Sequence, residues 1–169
     1  NAPVDVAVIE VGMGGAWDAT NVADGKVAVI APIGLDHAHY LGDSILDIAA
    51  EKVGIIKPGA VCVSAVQQDE VAALIAQRCA EVGATLLVEG VDFAVERRTP
   101  AEGGQMLDLR GVRGTYAEVF LPLYGAHQAQ NAAMALAAVE SLVGATARID
   151  DDIVREAFPE ATSPGRLEV

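Results

Sequence analysis

Several residues combine a reactive side chain with a position that could use it. Glu10 stands near the end of the β-branched run Val4–Val11 and leads into the loop Val11-Gly12-Met13-Gly14-Gly15. Open α/β sheets take ligands at the carboxyl ends of their strands, so a carboxylate there can reach one. The other reading is an exposed loop acid. Asp36-His37 follows a second apolar run in the same way, after Pro32-Ile33-Gly34-Leu35, and could form a metal pair or an acid–base pair, or stay solvated. His39 is open to the same readings. Magnesium prefers oxygen ligands, so a histidine ligand would be unusual on these grounds alone.

Lys52 carries a stronger physical signal. Ile45, Ile48, Ala49, Lys52, Ile55 and Ile56 recur at spacings of three and four, on one helical face. A lysine inside an aliphatic stripe is costly unless it is paired, neutral or modified. The alternative is a packed stem with its ammonium reaching solvent. Further on, His127-Gln128 and Asn131 open an Ala-rich helix, where free amides and the dipole favour anions or where the side chains simply cap the turn. Pro164-Gly165-Arg166 is a tight turn presenting a guanidinium, suited to forked phosphate contact or lying idle on the surface.

The glycines after Glu10 do not make a dinucleotide fingerprint. With Gly12 and Gly14 as the first two, the third would fall at Trp17, so the pattern fails and argues against a nicotinamide enzyme.

The elements that must hold these residues are legible in the periodicity. Val4–Val11, Val27–Ala31, Ala60–Val66 and Thr85–Glu89 read as buried parallel strands. Ser44–Ile56, with Ser44 as N-cap and Lys57-Pro58-Gly59 as terminator, reads as a helix, and so does Asp69–Val82, closed by Gly83. Alternation of strand and helix predicts a doubly wound, mostly parallel α/β sheet. From Asp92 the pattern changes: Phe93–Arg98, Gln105–Arg110 and Tyr116–Leu121 alternate and are joined by turns, which predicts a small antiparallel sheet appended to the first. A long helix over Gln128–Leu142 and a short one over Asp151–Phe158 follow, and Gly165–Val169 reads as the start of a strand.

The 169 residues are 52% hydrophobic and 21% charged, the balance of a folded chain with one sizeable core. A net charge of −13 excludes nucleic acid and an anionic membrane surface as partners. If the ligand is an anion such as ATP, the same acidity calls for a divalent metal; otherwise it serves solubility. Cys62 and Cys79 stand apart in different elements, which fits a reduced, cytoplasmic setting better than a disulfide framework. No stretch reaches the roughly 18 apolar residues of a membrane span, and no signal peptide is visible. Opening on Asn1 and stopping at Val169, the sequence reads as a piece of a longer polypeptide.

Five ordered blocks resemble one family. Glu10-Val11-Gly12-Met13-Gly14-Gly15 with Trp17-Asp18-Ala19-Thr20-Asn21 resembles the E-x-G-x-G-G-R-x-D-A-T-N stretch of folylpolyglutamate synthases and dihydrofolate synthases, members of the Mur ligase superfamily. Ile33-Gly34-Leu35-Asp36-His37 with Leu41-Gly42 is similar to their S-I-x-x-D-H…L-G segment, and Ile48–Lys57 to their I-A-x-E-K-A-G-I-I-K helix. His127-Gln128 with Asn131-Ala132, and Pro164-Gly165-Arg166, are similar to their H-Q-x-x-N-A and P-G-R signatures.

The resemblance implies a Mur-ligase-type central domain spanning residues 1–169, incomplete because the phosphate-binding loop lies upstream and a C-terminal domain lies downstream. It implies an ATP- and Mg2+-dependent ligase joining L-glutamate to a folate or dihydropteroate carboxylate through an acyl phosphate, with the piece inactive alone. Glu10 and His37 would hold magnesium, with Lys52 carbamylated beside them; Trp17, Asp18 and Ala19 would meet the pterin, and Asn131 and Arg166 the ATP. Ala16 departs from the family's usual arginine. A Mur-type peptidoglycan precursor ligase and a non-catalytic nucleotide-binding module are the alternatives, the first disfavoured by the Gly-Met-Gly-Gly…Asp-Ala-Thr-Asn block.

Overall fold

Ser44 starts the first helix by a reciprocal exchange. Its hydroxyl accepts from the Asp47 amide at 3.1 Å, and the Asp47 carboxylate accepts from the Ser44 amide at 3.2 Å. This satisfies two of the amides that a helix start leaves free. A computed structural model describes residues 3–34, 44–143 and 148–163. Helix α1, Ile45–Lys52, tightens into a 3-10 turn at Val53–Ile55, and its stripe buries Ile48, Ala49, Val53 and Ile56. Helix α2, Asp69–Val82, ends on Gly83, whose φ of 65° is the left-handed cap that glycine adopts without strain.

These helices flank a parallel sheet of β1 (Val27–Ile30), β2 (Val61–Ser64) and β3 (Thr85–Val88), in that order, with Val29 opposite Val63 and Val63 opposite Leu87. Alternation along β2 splits the core into two layers. Cys62 packs with Ile48, Val71, Ile75 and Cys79 under α1 and α2. Val63 faces the other way, toward Ala133 and Ala137 of α3, Ala126–Val143. Cys62 and Cys79 are buried and free in the same core layer. Burial, and secondarily the neighbouring thiol, pushes Cys62 up to about 12.

The antiparallel sheet forms as expected from β4 (Ala94–Ala101), β5 (Gly104–Arg110) and β6 (Thr115–Leu121). Register shifts on both sides of Asp108 mark bulges, and Glu118 takes a φ of 58° there. Asp108 holds that irregularity, accepting from the Glu118 amide at 3.0 Å and pairing with Arg97 at 2.7 Å. Bulges bend a strand, and this sheet closes over α3 and α4 (Asp151–Ala157) through Leu107, Leu109, Val119 and Val154. The one charged residue of α3, Glu140, is wholly buried.

One expected element is corrected. Val4–Val11 contains no strand, and Val4 is 71% and Val8 98% exposed. The run has strand composition, but a strand exists through its pairing, and among the described residues β1 pairs only with β2. The strand expected from Gly165 lies outside the described residues.

Candidate functional site

The loop after Glu10 is seated on the end of α1. The Ala16 amide donates to the Glu51 carbonyl at 2.9 Å, and the Lys57 ammonium donates to the Asn21 carbonyl at 2.7 Å. Two glycines make the approach possible. A Cβ on Gly15 would press into the Glu51 carbonyl and stand 2.9 Å from Lys52 Cα, and one on Gly54 would lie 2.5 Å from Ala16 Cβ. Backbone meets backbone at both points, so neither neighbour can yield. The loop that carries Trp17, Asp18 and Ala19 is thereby seated on the last turn of α1, where Lys52 is half-buried.

Within the loop Asp18 acts as a clasp. Its carboxylate accepts from the Thr20 amide at 2.8 Å, the Thr20 hydroxyl at 2.5 Å and the Met13 amide at 3.2 Å, capping the 3-10 turn Ala19–Val22. The bond from the Thr20 side chain, then that from its amide, holds Asp18 below the ordinary carboxylate range. The Asn21 amide closes the turn by donating to the Ala16 carbonyl at 2.9 Å. Trp17 is 56% exposed with its indole over Gly14, where a Cβ would come within 2.8 Å of Cε2. An exposed indole resting against backbone offers a stacking face to a planar ligand. Ala19 is also exposed.

Of the two expected metal ligands, Glu10 is exposed and, with no strand at Val4–Val11, does not sit at a strand's carboxyl end; His37 lies outside the described residues, as do Asp36 and His39. Among the described residues no group of three or more His, Cys, Asp or Glu side chains could hold a metal ion. The donor chemistry nonetheless suits a hard cation. Glu51 Oε2, one residue from Lys52, is buried with no donor among the described residues, and so is Asn21 Oδ1. Oxygen acceptors of this kind are what Mg2+ or a water it carries would satisfy.

A second set gathers at the head of α3. His127 and Asn131 are exposed, and the Asn131 amide donates to Gln128 Oε1 at 3.2 Å. Gly125, with a φ of 99°, turns the chain into the helix under the His127 ring. Arg166 lies outside the described residues. Beside this head a cleft of about 330 Å³ runs along Val66, Glu89, Arg98, Ala126, Ala129 and Gln130, at the carboxyl ends of β2 and β3. Glu89 is 8% exposed and accepts from the Val66 amide at 3.1 Å. It was not singled out from the sequence, although it follows an apolar run just as Glu10 does. The loop–α1 seam and the α3 head are thus two assemblies, carried on opposite faces of the parallel sheet.

Residues 1–139 match the model of the Mur ligase middle domain. The chain is 50% identical over 176 residues to the dihydrofolate synthase/folylpolyglutamate synthase of Mycobacterium tuberculosis, covering 99% of this chain and 36% of that relative. It is 39% identical over 170 residues to the Bacillus subtilis protein of the same name, covering 98% and 39%. Among solved structures, Mycobacterium tuberculosis folylpolyglutamate synthase complexed with ADP and AMPPCP gives a TM-score of 0.93 at 50% identity, over 98% of this chain and 38% of that one. An FPGS–AMPPCP–folate complex gives 0.89 at 33% identity, over 97% and 40%. The chain therefore spans less than half the length of these relatives.

Proposed function

The chain belongs to the Mur ligase middle-domain family, and on that premise we propose that it is the central part of a folylpolyglutamate synthase, an acid–amino-acid ligase using ATP and Mg2+. The acceptor is a folate or dihydropteroate, and the amine is L-glutamate. The observation that carries this reading is the seam at Gly15, where the loop bearing the folate-side motif is locked onto the Lys52 end of α1. The relatives named for this activity and the nucleotide-bound neighbours support it.

The reaction is written in two displacements. A carboxylate oxygen of the acceptor bonds to the γ-phosphorus of ATP as the bond to the β-phosphate bridging oxygen breaks, giving an acyl phosphate and ADP. The uncharged amine of glutamate then attacks the acyl carbon, the bond to the phosphate oxygen breaks, and an amide, inorganic phosphate and a proton result. Trp17 and Ala19 present the face for the pterin, while Asp18 keeps that face in place. Asn131 orients the nucleotide at the head of α3, and Arg166 is assigned to the same nucleotide by its motif alone. Glu10 and His37 would hold Mg2+, which would supply neutralisation of phosphate charge. Lys52, as the uncharged amine, would take up carbon dioxide with loss of a proton, and its carbamate would supply a further carboxylate there.

No helix of the described residues is long and apolar enough to cross a membrane, and the two free buried thiols fit a cytoplasmic setting. The chain spans 36% of its Mycobacterium tuberculosis relative, and the proposed ligase includes in addition a phosphate-binding loop and a C-terminal domain.

The test is incorporation of labelled glutamate by the full-length protein with ATP and magnesium, tetrahydrofolate and dihydropteroate being supplied separately. Incorporation onto either acceptor supports the ligase and identifies its acceptor. None onto either, with incorporation onto a nucleotide-linked muramoyl acceptor, replaces it by a peptidoglycan precursor ligase. Nucleotide binding without any incorporation leaves a binding module.

A further inference from the structure

Gln105 is 1% exposed, yet nothing in the proposed reaction uses it. It is the second residue of β5, and its Nε2 donates to the Leu123 carbonyl at 2.7 Å and the Gly125 carbonyl at 3.1 Å. Those carbonyls belong to the elbow joining β6 to α3. Arg98 Nη1 donates to Gln105 Oε1 at 3.4 Å. A guanidinium can only donate and a carbonyl can only accept, so these neighbours fix the amide in one orientation.

Three further contacts make the arrangement consequential. The Gly125 carbonyl also accepts from the Gln128 amide at 3.2 Å and the Ala129 amide at 3.4 Å, the first turn of α3. Gly125 lies against the His127 ring, where a Cβ would come within 2.6 Å of Cε1. Gly104, next to Gln105, is packed on the elbow, with an added Cβ 2.8 Å from Pro122 Cα, so β5 and the elbow are in register contact. One buried amide therefore joins the second sheet to the carbonyl from which α3 begins.

We propose that Gln105 is a positioning residue for nucleotide binding, setting the place of His127 and Asn131 by tethering the Leu123–Gly125 elbow. The inference rests on the reading that the head of α3 takes ATP. The body of α3 is held separately, by Ala133 and Ala137 against the sheet, so the tether governs the helix head rather than the fold.

The experiment uses full-length protein and three variants, Gln105→Leu, Gln105→Glu and Asn131→Ala, with thermal unfolding recorded for each. In Gln105→Leu both carbonyls lose the side-chain donor; the expected result is a KM for ATP raised about tenfold, with kcat and the acceptor KM within about twofold. Gln105→Glu keeps the length but has no donor, and gives the same split if the leucine variant does not fold. An unchanged KM for ATP in the Gln105 variants while Asn131→Ala raises it overturns the tether. A parallel fall of kcat, both KM values and thermal stability also overturns it, leaving Gln105 as packing. An unchanged nucleotide KM in Asn131→Ala instead overturns the reading of the α3 head, and the tether with it.

Discussion

Tyr116 donates its phenolic proton to Glu140 at 2.7 Å, a phenol on β6 bonded to the one charged side chain of α3. Both residues are essentially inaccessible to solvent, at 1% and 0% exposure. Glu140 also accepts from the Val112 amide at 2.6 Å and the Arg113 amide at 3.3 Å, so its carboxylate serves the turn between β5 and β6. A buried charge is tolerated when its lone pairs are filled in this way.

Removing either partner is therefore expected to cost stability. Glu140→Ala leaves two amides and a phenol without an acceptor and destabilises by roughly 3 kcal/mol or more, whereas Tyr116→Phe costs about 1 kcal/mol. Urea unfolding monitored by circular dichroism checks both. Burial first, and the bond to Glu140 next, push the Tyr116 phenol up to about 12. The folded chain holds this proton more tightly than the unfolded one, so the contribution is complete below pH 10.0, the ordinary tyrosine value, and is lost as pH rises through about 12. Tyr116→Phe should remove that component of alkaline destabilisation.

Gly15→Ala tests the seam. The added methyl meets the Glu51 carbonyl and the Lys52 backbone rather than a movable side chain, so the loop must lift. The expected penalty is about 1–3 kcal/mol, with loss of glutamate incorporation in the full-length protein. Circular dichroism retained while activity falls would assign the defect to the seam. Activity retained at the parental level would show that loop and helix need not touch.

Lys52→Met keeps an unbranched stem at the margin of the aliphatic stripe and removes the amine. Glutamate incorporation by the full-length protein is expected to fall roughly a hundredfold or more, with unfolding little changed. Near-parental turnover would remove Lys52 from the chemistry.

Asp18 should make the loop acid-sensitive, and the chain's one tryptophan stands next to it as a reporter. The Asp18 carboxyl is held below its ordinary 3.8, so its contribution is present above that pH and lost as the pH falls below it. Trp17 fluorescence is expected to shift on acidification below pH 3.8, and Asp18→Asn should abolish the shift. An identical transition in the variant would assign it to another group.

Local signals were well written in the sequence. Gly83 ends α2 because a left-handed residue is needed there, and Ser44 starts α1 because its amides need an acceptor. What escaped depends on partners far along the chain. Val4–Val11 has the residues of a strand but, among the described residues, pairs with none. The Lys52 stripe was legible, yet Lys52 itself closes the helix half-exposed, since α1 ends there. The clasp at Asp18 was not legible either: Thr20 and Met13 donate to its oxygens. Gln105 and Glu140 look like surface polar residues in an alternating strand and an Ala-rich helix; their partners lie 18 to 28 residues away.

The pair of thiols sealed between β2 and α2 gives this molecule an internal clock. Burial suppresses the thiolate at Cys62 and at Cys79, so an alkylating reagent finds them only when helix and sheet part. Their labelling rate then reports the opening of that layer, the same one that carries the Lys52 seam.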